Sequence, residues 1–311
     1  MSVLRSLFVG LSKNKLVRGW AERSRVGRRS ASRFVAGMTV EEAVAACERV
    51  NAEGIAVTLD SLGESVAVEA AARAAAEVYH RLLEAIAGKG LKANVSLKLS
   101  QMGIEIAEGL AEEIVGGIVE RAAGLGGFVR IDMEGSAYTE ATIAMTERLH
   151  ERWPGSVGTV LQAYLYRTAE DAERLLRQGI RIRLCKGAYQ EGPAVAFAAK
   201  ADVDANYVGL MQRMVTYAKD GVGVFCGIAT HDERIVDAMR AFVRERGVAK
   251  SAFEFQMLYG VRRDLQRRLA WEGYGVRVYV PFGAAWYPYF MRRLAERPAN
   301  VLFLARNYFR N

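Results

Sequence analysis

From residue 54 onward the chain repeats one pattern eight times: a short run rich in β-branched and aromatic residues ends in a polar residue, and a longer segment of helical periodicity follows. The short runs fall at 55–60, 93–99, 128–133, 158–163, 180–185, 222–228, 252–256 and 276–280. Helical patterns occupy about 64–88, 106–123, 138–152, 168–178, 193–219, 232–247, 260–272 and 285–296. Strands joined by crossovers of that length return to the same end of the sheet, so they pair in parallel. Eight βα units in a domain of about 250 residues predict an α/β fold, the (β/α)8 or TIM barrel. A doubly wound sheet is the competing arrangement. It calls for G-x-G-x-x-G after the first strand, and Asp60-Ser-Leu-Gly-Glu64 does not supply it.

In such a barrel the C-terminal strand ends carry function. Here they carry polar groups: Asp60, Lys98, Asp132, Gln162, Arg183 with Lys186, Thr230 with His231, Glu254 with Gln256, and Tyr279. Several strands place a second polar residue two positions earlier, on the same face: Ser96 before Lys98, Arg130 before Asp132, Arg181 before Arg183. Any one of these is explained by a solvated strand end; eight together predict a polar barrel mouth. On the last helix Tyr289, Arg292, Arg293 and Glu296 fall at i, i+3, i+4 and i+7 and share a face. Two adjacent guanidiniums aimed one way suit a planar anion gripped bidentately. Spacing alone also describes a solvated basic face with Glu296 paired back to Arg292.

The chain of 311 residues is 51% apolar and 25% charged, ordinary for a globular protein. No apolar run is long enough for a membrane-spanning helix. Cys47, Cys185 and Cys226 are scattered, which argues against a disulfide framework and for a reducing compartment. His80, His150 and His231 form no metal-ligand spacing, so no metal is expected. The net charge of +8 belongs to one end. Residues 1–36 hold nine of the 43 basic residues against Glu22, and the remainder is balanced. The body is therefore not expected to bind nucleic acid. The arm suits an anionic surface such as lipid headgroups, or is simply a pair of solvated helices. Its apolar run Leu7–Leu11 is too short for a signal peptide, and Arg28-Arg29 lacks the apolar stretch a twin-arginine signal needs, so a cytoplasmic protein is expected. The expected division is a basic N-terminal helical arm, residues 1–50, and a catalytic barrel, residues 51–311.

Strand five closes in Arg183-Leu-Cys-Lys186-Gly-Ala-Tyr189. Gly187 and Ala188 allow a ligand close to the backbone, Lys186 offers a point charge to phosphate, and an interior Arg183 could stabilise negative charge on a reduced cofactor ring. After strand six, Thr230 with Glu233 resembles a capping box at a helix start, an anion site suited to pyrophosphate, with His231 beside it. Lys98 and Asp132 lie on neighbouring strands. They form either an interior ion pair or working groups: Lys98 as an anion holder or Schiff-base lysine, Asp132 as an orienting carboxylate. A Schiff-base lyase or aldolase using Lys98 or Lys186 is thus the alternative reading. A non-enzymatic module that binds membranes or nucleic acid through residues 1–36 is a third.

Seven motifs in order resemble the proline dehydrogenase family in its short, single-function bacterial form. They are Val95-Ser-Leu-Lys98-Leu-Ser, Arg130-Ile-Asp132-Met133-Glu, Leu161-Gln162-Ala-Tyr, Arg183-Leu-Cys-Lys186-Gly-Ala-Tyr189, Ala229-Thr230-His231-Asp, Phe253-Glu-Phe-Gln256-Met-Leu-Tyr-Gly260 and Tyr289-x-x-Arg292-Arg293-x-x-Glu296. The resemblance covers roughly residues 50–305. It implies a flavoenzyme that oxidises L-proline to Δ1-pyrroline-5-carboxylate, the first step of proline catabolism, by hydride transfer to FAD, with electrons passing to a membrane quinone. It implies a distorted barrel with extra N-terminal helices and with the last helix over the C-terminal strand ends. By the same resemblance Lys98, Arg292 and Arg293 clamp the proline carboxylate, and Tyr279 and Tyr289 wall its ring. Asp132 and Arg183 are catalytic, Arg183 beside flavin N5. Met133, Gln162, Arg183, Cys185, Lys186, Gly187, Ala188, Thr230, His231 and Gln256 contact FAD. Glu64 is a gate residue paired with an Arg of the last helix, with Glu296 at the same gate. Gln190 stands where longer bifunctional members have Trp. No aldehyde dehydrogenase region follows residue 311, so a separate pyrroline-5-carboxylate dehydrogenase is expected, and the enzyme is expected at the inner face of the cell membrane.

Overall fold

The structure, a computed structural model, describes Ser24, residues 31–219 and residues 225–296, with backbone alone for residue 219 and residues 294–296. Among the described residues eight parallel strands close into a barrel in sequence order. They are β1 (Ala56–Ser61), β2 (Ala93–Leu97), β3 (Val129–Ile131), β4 (Val157–Gln162), β5 (Arg181–Cys185), β6 (Cys226–Ala229), β7 (Phe253–Leu258) and β8 (Gly275–Phe282). Closure is the pairing of β1 with β8, Thr58 opposite Tyr279. The expected (β/α)8 barrel is the fold. Residues 222–224 of the expected sixth strand lie outside the described residues.

The strands are buried on both faces, as a parallel sheet wrapped in helices requires. Their outward residues, such as Val57, Leu59, Val95, Leu97, Val129 and Ile131, join one apolar core with the inner faces of the surrounding helices. Seven of those helices follow strands β1 to β7 in turn: α2 (Glu69–Gly88), α3 (Glu108–Gly124), α4 (Thr139–Arg152), α5 (Thr168–Arg177), α6 (Lys200–Lys219), α7 (Glu233–Arg246) and α8 (Arg263–Trp271).

The remaining place in the ring, beside β8 and β1, is taken by the preceding α1 (Val40–Asn51). Thr39 starts it with a capping box: its hydroxyl accepts from Glu42 N at 3.3 Å, and the Glu42 carboxylate accepts from Thr39 N at 3.2 Å. Val40, Ala43, Val44, Cys47 and Val50 then face the barrel core. With that place filled, α9 (Trp286–Glu296) cannot pack beside β8. Its Trp286, Tyr287, Tyr289, Phe290 and Met291 instead form a separate cluster with Ala31, Phe34, Val35 and Leu62. Leu62 directly follows β1, so α9 lies over the C-terminal strand ends.

Three expected helices begin later than their periodicity suggested. α2 starts at Glu69, not 64, because residues 62–68 run as a loop with Ser65 in the left-handed region (φ 51°). α6 starts at Lys200, not 193. Gly192 and Pro193 open a turn, and Ala196 bridges to Leu165. α8 starts at Arg263, because Gly260 (φ 73°) and Arg262 (φ 51°) are both left-handed.

Candidate active site

Inward side chains from five strands meet at the C-terminal half of the barrel. Asp60 ends β1, Lys98 follows β2, Asp132 follows β3, Arg183 lies in β5 and Tyr279 in β8. Asp132 is the hub. Its Oδ1 accepts from Arg183 Nη1 at 2.8 Å and from Ser96 Oγ at 2.6 Å, and its Oδ2 accepts from the Tyr279 hydroxyl at 2.9 Å. Lys98 Nζ lies 3.9 Å from the same Oδ2 and 3.2 Å from Asp60 Oδ2. These groups are nearly withdrawn from water: Asp60 is 0% exposed, Arg183 5% and Lys98 9%. Burial alone would lower the Lys98 ammonium's pKa, but Asp60 and Asp132 outweigh it and hold the group above the ordinary lysine value. Burial raises the Asp60 carboxyl against the opposing pull of Lys98. The Tyr279 phenol is raised well above its usual value by burial and by Asp132, so it stays protonated and donates. Its ring also lies under the Arg183 guanidinium, 5.3 Å from the centroid.

A deeper layer fixes Arg183. Its Nε donates to Gln256 Oε1 at 2.5 Å; Gln256 Nε2 donates to Glu254 Oε1 at 2.6 Å, which also receives Arg277 Nε at 2.5 Å. The Gln256 amide occupies room that β6 leaves by having Gly227: a Cβ there would sit 2.3 Å from Gln256 Nε2. Arg130 is fully enclosed, donates to the Thr159 and Arg181 carbonyls, and stacks on Phe128 at 4.7 Å.

Over this floor α9 presents its stripe. Arg292 Nη2 pairs with Glu64 Oε1 at 2.7 Å, in the loop after β1. Burial works against the Arg292 charge and Glu64 more than restores it, so its pKa rises. Arg293 stacks over the Tyr289 ring at 5.0 Å. Tyr189, 41% exposed in the loop after β5, has its phenol pushed up to about 12 by partial burial and by Glu134 and Glu64, against the opposing pull of Lys98 and Arg292. The Glu296 side chain lies outside the described residues.

The other predicted positions ring the mouth. Met133 (6% exposed) follows Asp132, and Gln162 (4%) ends β4 with its Oε1 buried and without a hydrogen-bond partner. Cys185 ends β5, its thiol pushed up to about 11 by burial. Gly187 is left-handed (φ 110°), and a Cβ there would lie 2.3 Å from the Tyr164 ring; Ala188 is next in the same loop. Lys186 is held by Asp204 at 2.6 Å and Asp232 at 3.2 Å. The Thr230–Glu233 capping box does not form. Asp232 is the N-cap of α7, accepting from Arg234 N at 3.2 Å, and Thr230 Oγ1 accepts from Asp232 N at 3.1 Å. Asp232 caps as well as Thr and stands next to the first helical residue, so it wins. His231 Nε2 accepts from Leu258 N at 2.9 Å, which leaves the neutral ring's proton on Nδ1.

Two working neighbours had little or no signal in the sequence. Tyr79, on the buried face of α2, reaches Asp60 Oδ1 at 3.3 Å. Glu134, one residue beyond Met133, is buried and takes both the amide (2.9 Å) and hydroxyl (2.5 Å) of Ser100. Glu134 is marked only by its period-2 spacing from Asp132, and nothing but three-dimensional proximity marks Tyr79.

Comparison with known proteins places this arrangement. The proline dehydrogenase family profile matches residues 43–306. Proline dehydrogenase 1 of Bacillus subtilis subsp. natto is 40% identical over 306 residues, 98% of each chain. The proline dehydrogenase of Deinococcus radiodurans is 43% identical over 280 residues, 89% of each. Among solved structures, proline utilization A from Bdellovibrio bacteriovorus, inactivated by N-propargylglycine, aligns with a TM-score of 0.81 at 23% identity. That alignment takes in 94% of this chain and 36% of the other, so this chain spans about a third of that larger protein and shares its fold. No described helix is long and apolar enough to cross a membrane. With identity of this order over nearly the whole chain, the barrel and its charged mouth belong to an oxidoreductase of the proline dehydrogenase family.

Proposed function

We propose that the chain oxidises L-proline to Δ1-pyrroline-5-carboxylate with FAD as its flavin and passes the electrons to a quinone. The family implies a flavin, and the residues present fit one. Gln162 Oε1 is a buried acceptor without a protein partner at the mouth. The left-handed Gly187 keeps a side chain away from the β5 end. When bound, the flavin accepts hydride from the carbon next to the substrate nitrogen.

The observation that carries the reading is the enclosed Lys98–Asp132–Arg183 cluster under a helix bearing two adjacent arginines. In this reading Lys98, Arg292 and Arg293 hold the carboxylate. Tyr279 and Tyr289 bound the ring, and Asp132 orients the amine. Arg183, fixed by Asp132 and Gln256, provides a cation where negative charge develops. The remaining flavin-facing set is Met133, Gln162, Cys185, Lys186, Gly187, Ala188, Thr230, His231 and Gln256. Glu64, through Arg292, holds α9 closed so that water is excluded. Lys186 reaches an anionic cofactor by exchanging one of its two carboxylates.

A Schiff-base lyase is disfavoured by the same geometry. Lys98 sits between two carboxylates that keep it charged, and a charged amine is no nucleophile. We further propose that residues 1–36 make a peripheral contact with an anionic membrane, that the enzyme works at the cytoplasmic face, and that a separate pyrroline-5-carboxylate dehydrogenase takes the product. The expected result is a yellow purified protein that reduces a soluble dye with L-proline. A colourless protein inert toward proline even after FAD is added would overturn the proposal.

A further inference from the structure

Lys98 is shared unequally between two carboxylates. Its Nζ lies 3.2 and 3.4 Å from the two oxygens of Asp60 and 3.9 Å from Asp132 Oδ2. Asp132 accepts from Arg183, Ser96 and Tyr279 and keeps acceptor capacity to spare. Asp60 shares the Tyr279 hydroxyl with Asp132 and also reaches toward the helix ring. It is fully buried, and its Oδ1 lies 3.3 Å from the hydroxyl of Tyr79, itself buried in α2. That hydroxyl is 3.2 Å from Gln101 Oε1, and Gln101 Nε2 donates to Ser61 O at 3.0 Å, so the β1 end is braced around the carboxylate.

We propose that Asp60 is a positioning residue for the substrate: it holds the Lys98 ammonium off Asp132, keeping Lys98 N–H bonds available for the substrate carboxylate and Asp132 available for the amine. The inference rests on the proposed function, in which Lys98 grips that carboxylate. A lysine between two buried carboxylates should settle on whichever carries charge. With Asp60 neutralised, the ammonium moves onto Asp132, and both groups are withdrawn from the substrate together.

The charged and titratable groups acting on Lys98 are Asp60 from β1, Asp132 beyond β3, Glu64 from the loop after β1, Glu134, and Tyr189 from the loop after β5. Among the acids Asp60 acts most strongly. Lys98 has its pKa raised, so its charge persists until pH rises through that raised value, while burial raises the Asp60 carboxyl, so the grip is also lost as falling pH protonates Asp60. Removing the Asp60 charge lowers the value and brings the loss to lower pH.

The test compares the flavin-loaded wild type and Asp60→Asn with L-proline and a soluble dye across pH. The variant should raise KM on the order of tenfold or more, lower kcat much less, and start its alkaline rise in KM at lower pH. Proline turnover by the wild type separates the two claims. No turnover there defeats the proposed function, whereas normal turnover with an unchanged KM and pH profile in Asp60→Asn overturns the role of Asp60. Thermal unfolding is a second readout that does not depend on turnover. Asp60→Asn leaves a buried cation short of its nearest partner, so combining it with Lys98→Met should recover stability relative to Asp60→Asn alone. A double variant no more stable than Asp60→Asn would also overturn the pairing.

Discussion

The tetrapeptide Arg-Arg-Leu-Ala occurs twice, at 267–270 in α8 and at 292–295 in α9, and its arginines meet different fates. In α8 the buried face is Leu265 and Leu269 against the barrel, and the arginines point outward. Arg267 is 60% exposed and pairs with Glu53; Arg268 is 45% exposed and pairs with Glu233. In α9, Arg292 pairs with Glu64 in the loop after β1 and Arg293 lies on Tyr289, above the enclosed cations and carboxylates of the mouth. The peptide does not decide this. The helix ring has a place for α8 after β7, but the place after β8 is held by α1. The displaced helix must bury its aromatics on residues 31–35 and Leu62, and its polar stripe then faces the strand ends.

Substitutions separate the two helices, from the largest effect to the smallest. Arg292→Lys or Arg293→Lys loses the planar fork and should raise KM for proline about a hundredfold, roughly 2–3 kcal/mol, while Arg268→Lys leaves KM unchanged. Equal responses at the two sites would show the α9 pair to be a solvated face. Thr39→Ala removes the cap of α1, the helix that displaces α9. Thermal unfolding should show about 1 kcal/mol lost, with proline KM intact below the transition. Glu64→Gln breaks a pair about 40% exposed on each side, so screening limits the change to about 0.5–1 kcal/mol, read as a few-fold rise in KM that shrinks in high salt. Arg267→Ala should alter stability by about 0.5 kcal/mol or less, since its pair with Glu53 is largely in water.

The barrel was legible in the sequence because period-2 and period-3.6 runs alternate without interruption. Polar residues at strand ends and at alternate interior positions then marked Lys98, Asp132, Arg183 and Gln256. Less visible was anything set by competition between neighbours. Thr230 and Asp232 can each cap α7, and only the backbone entering the helix selects Asp232. Ser65 and Arg262 adopt left-handed conformations that their side chains do not announce, so two helix starts shift. Tyr79 serves Asp60 across two elements from a helix position that reads as ordinary core. The same holds for the place of α9. The resemblance implied it, but its physical cause is α1, whose apolar face is no different in kind from that of any other ring helix.

In the proposed function the α9 arginines grip proline at a flavin-bearing mouth and their α8 counterparts do not. Anaerobic titration of the purified protein with L-proline, followed in the flavin absorption bands, tests it most directly. Bleaching is expected in the wild type and in Arg268→Lys at the same proline concentration, and in Arg293→Lys only at about a hundredfold more. Coincident titrations for all three proteins, or no bleaching by proline at all, would contradict it.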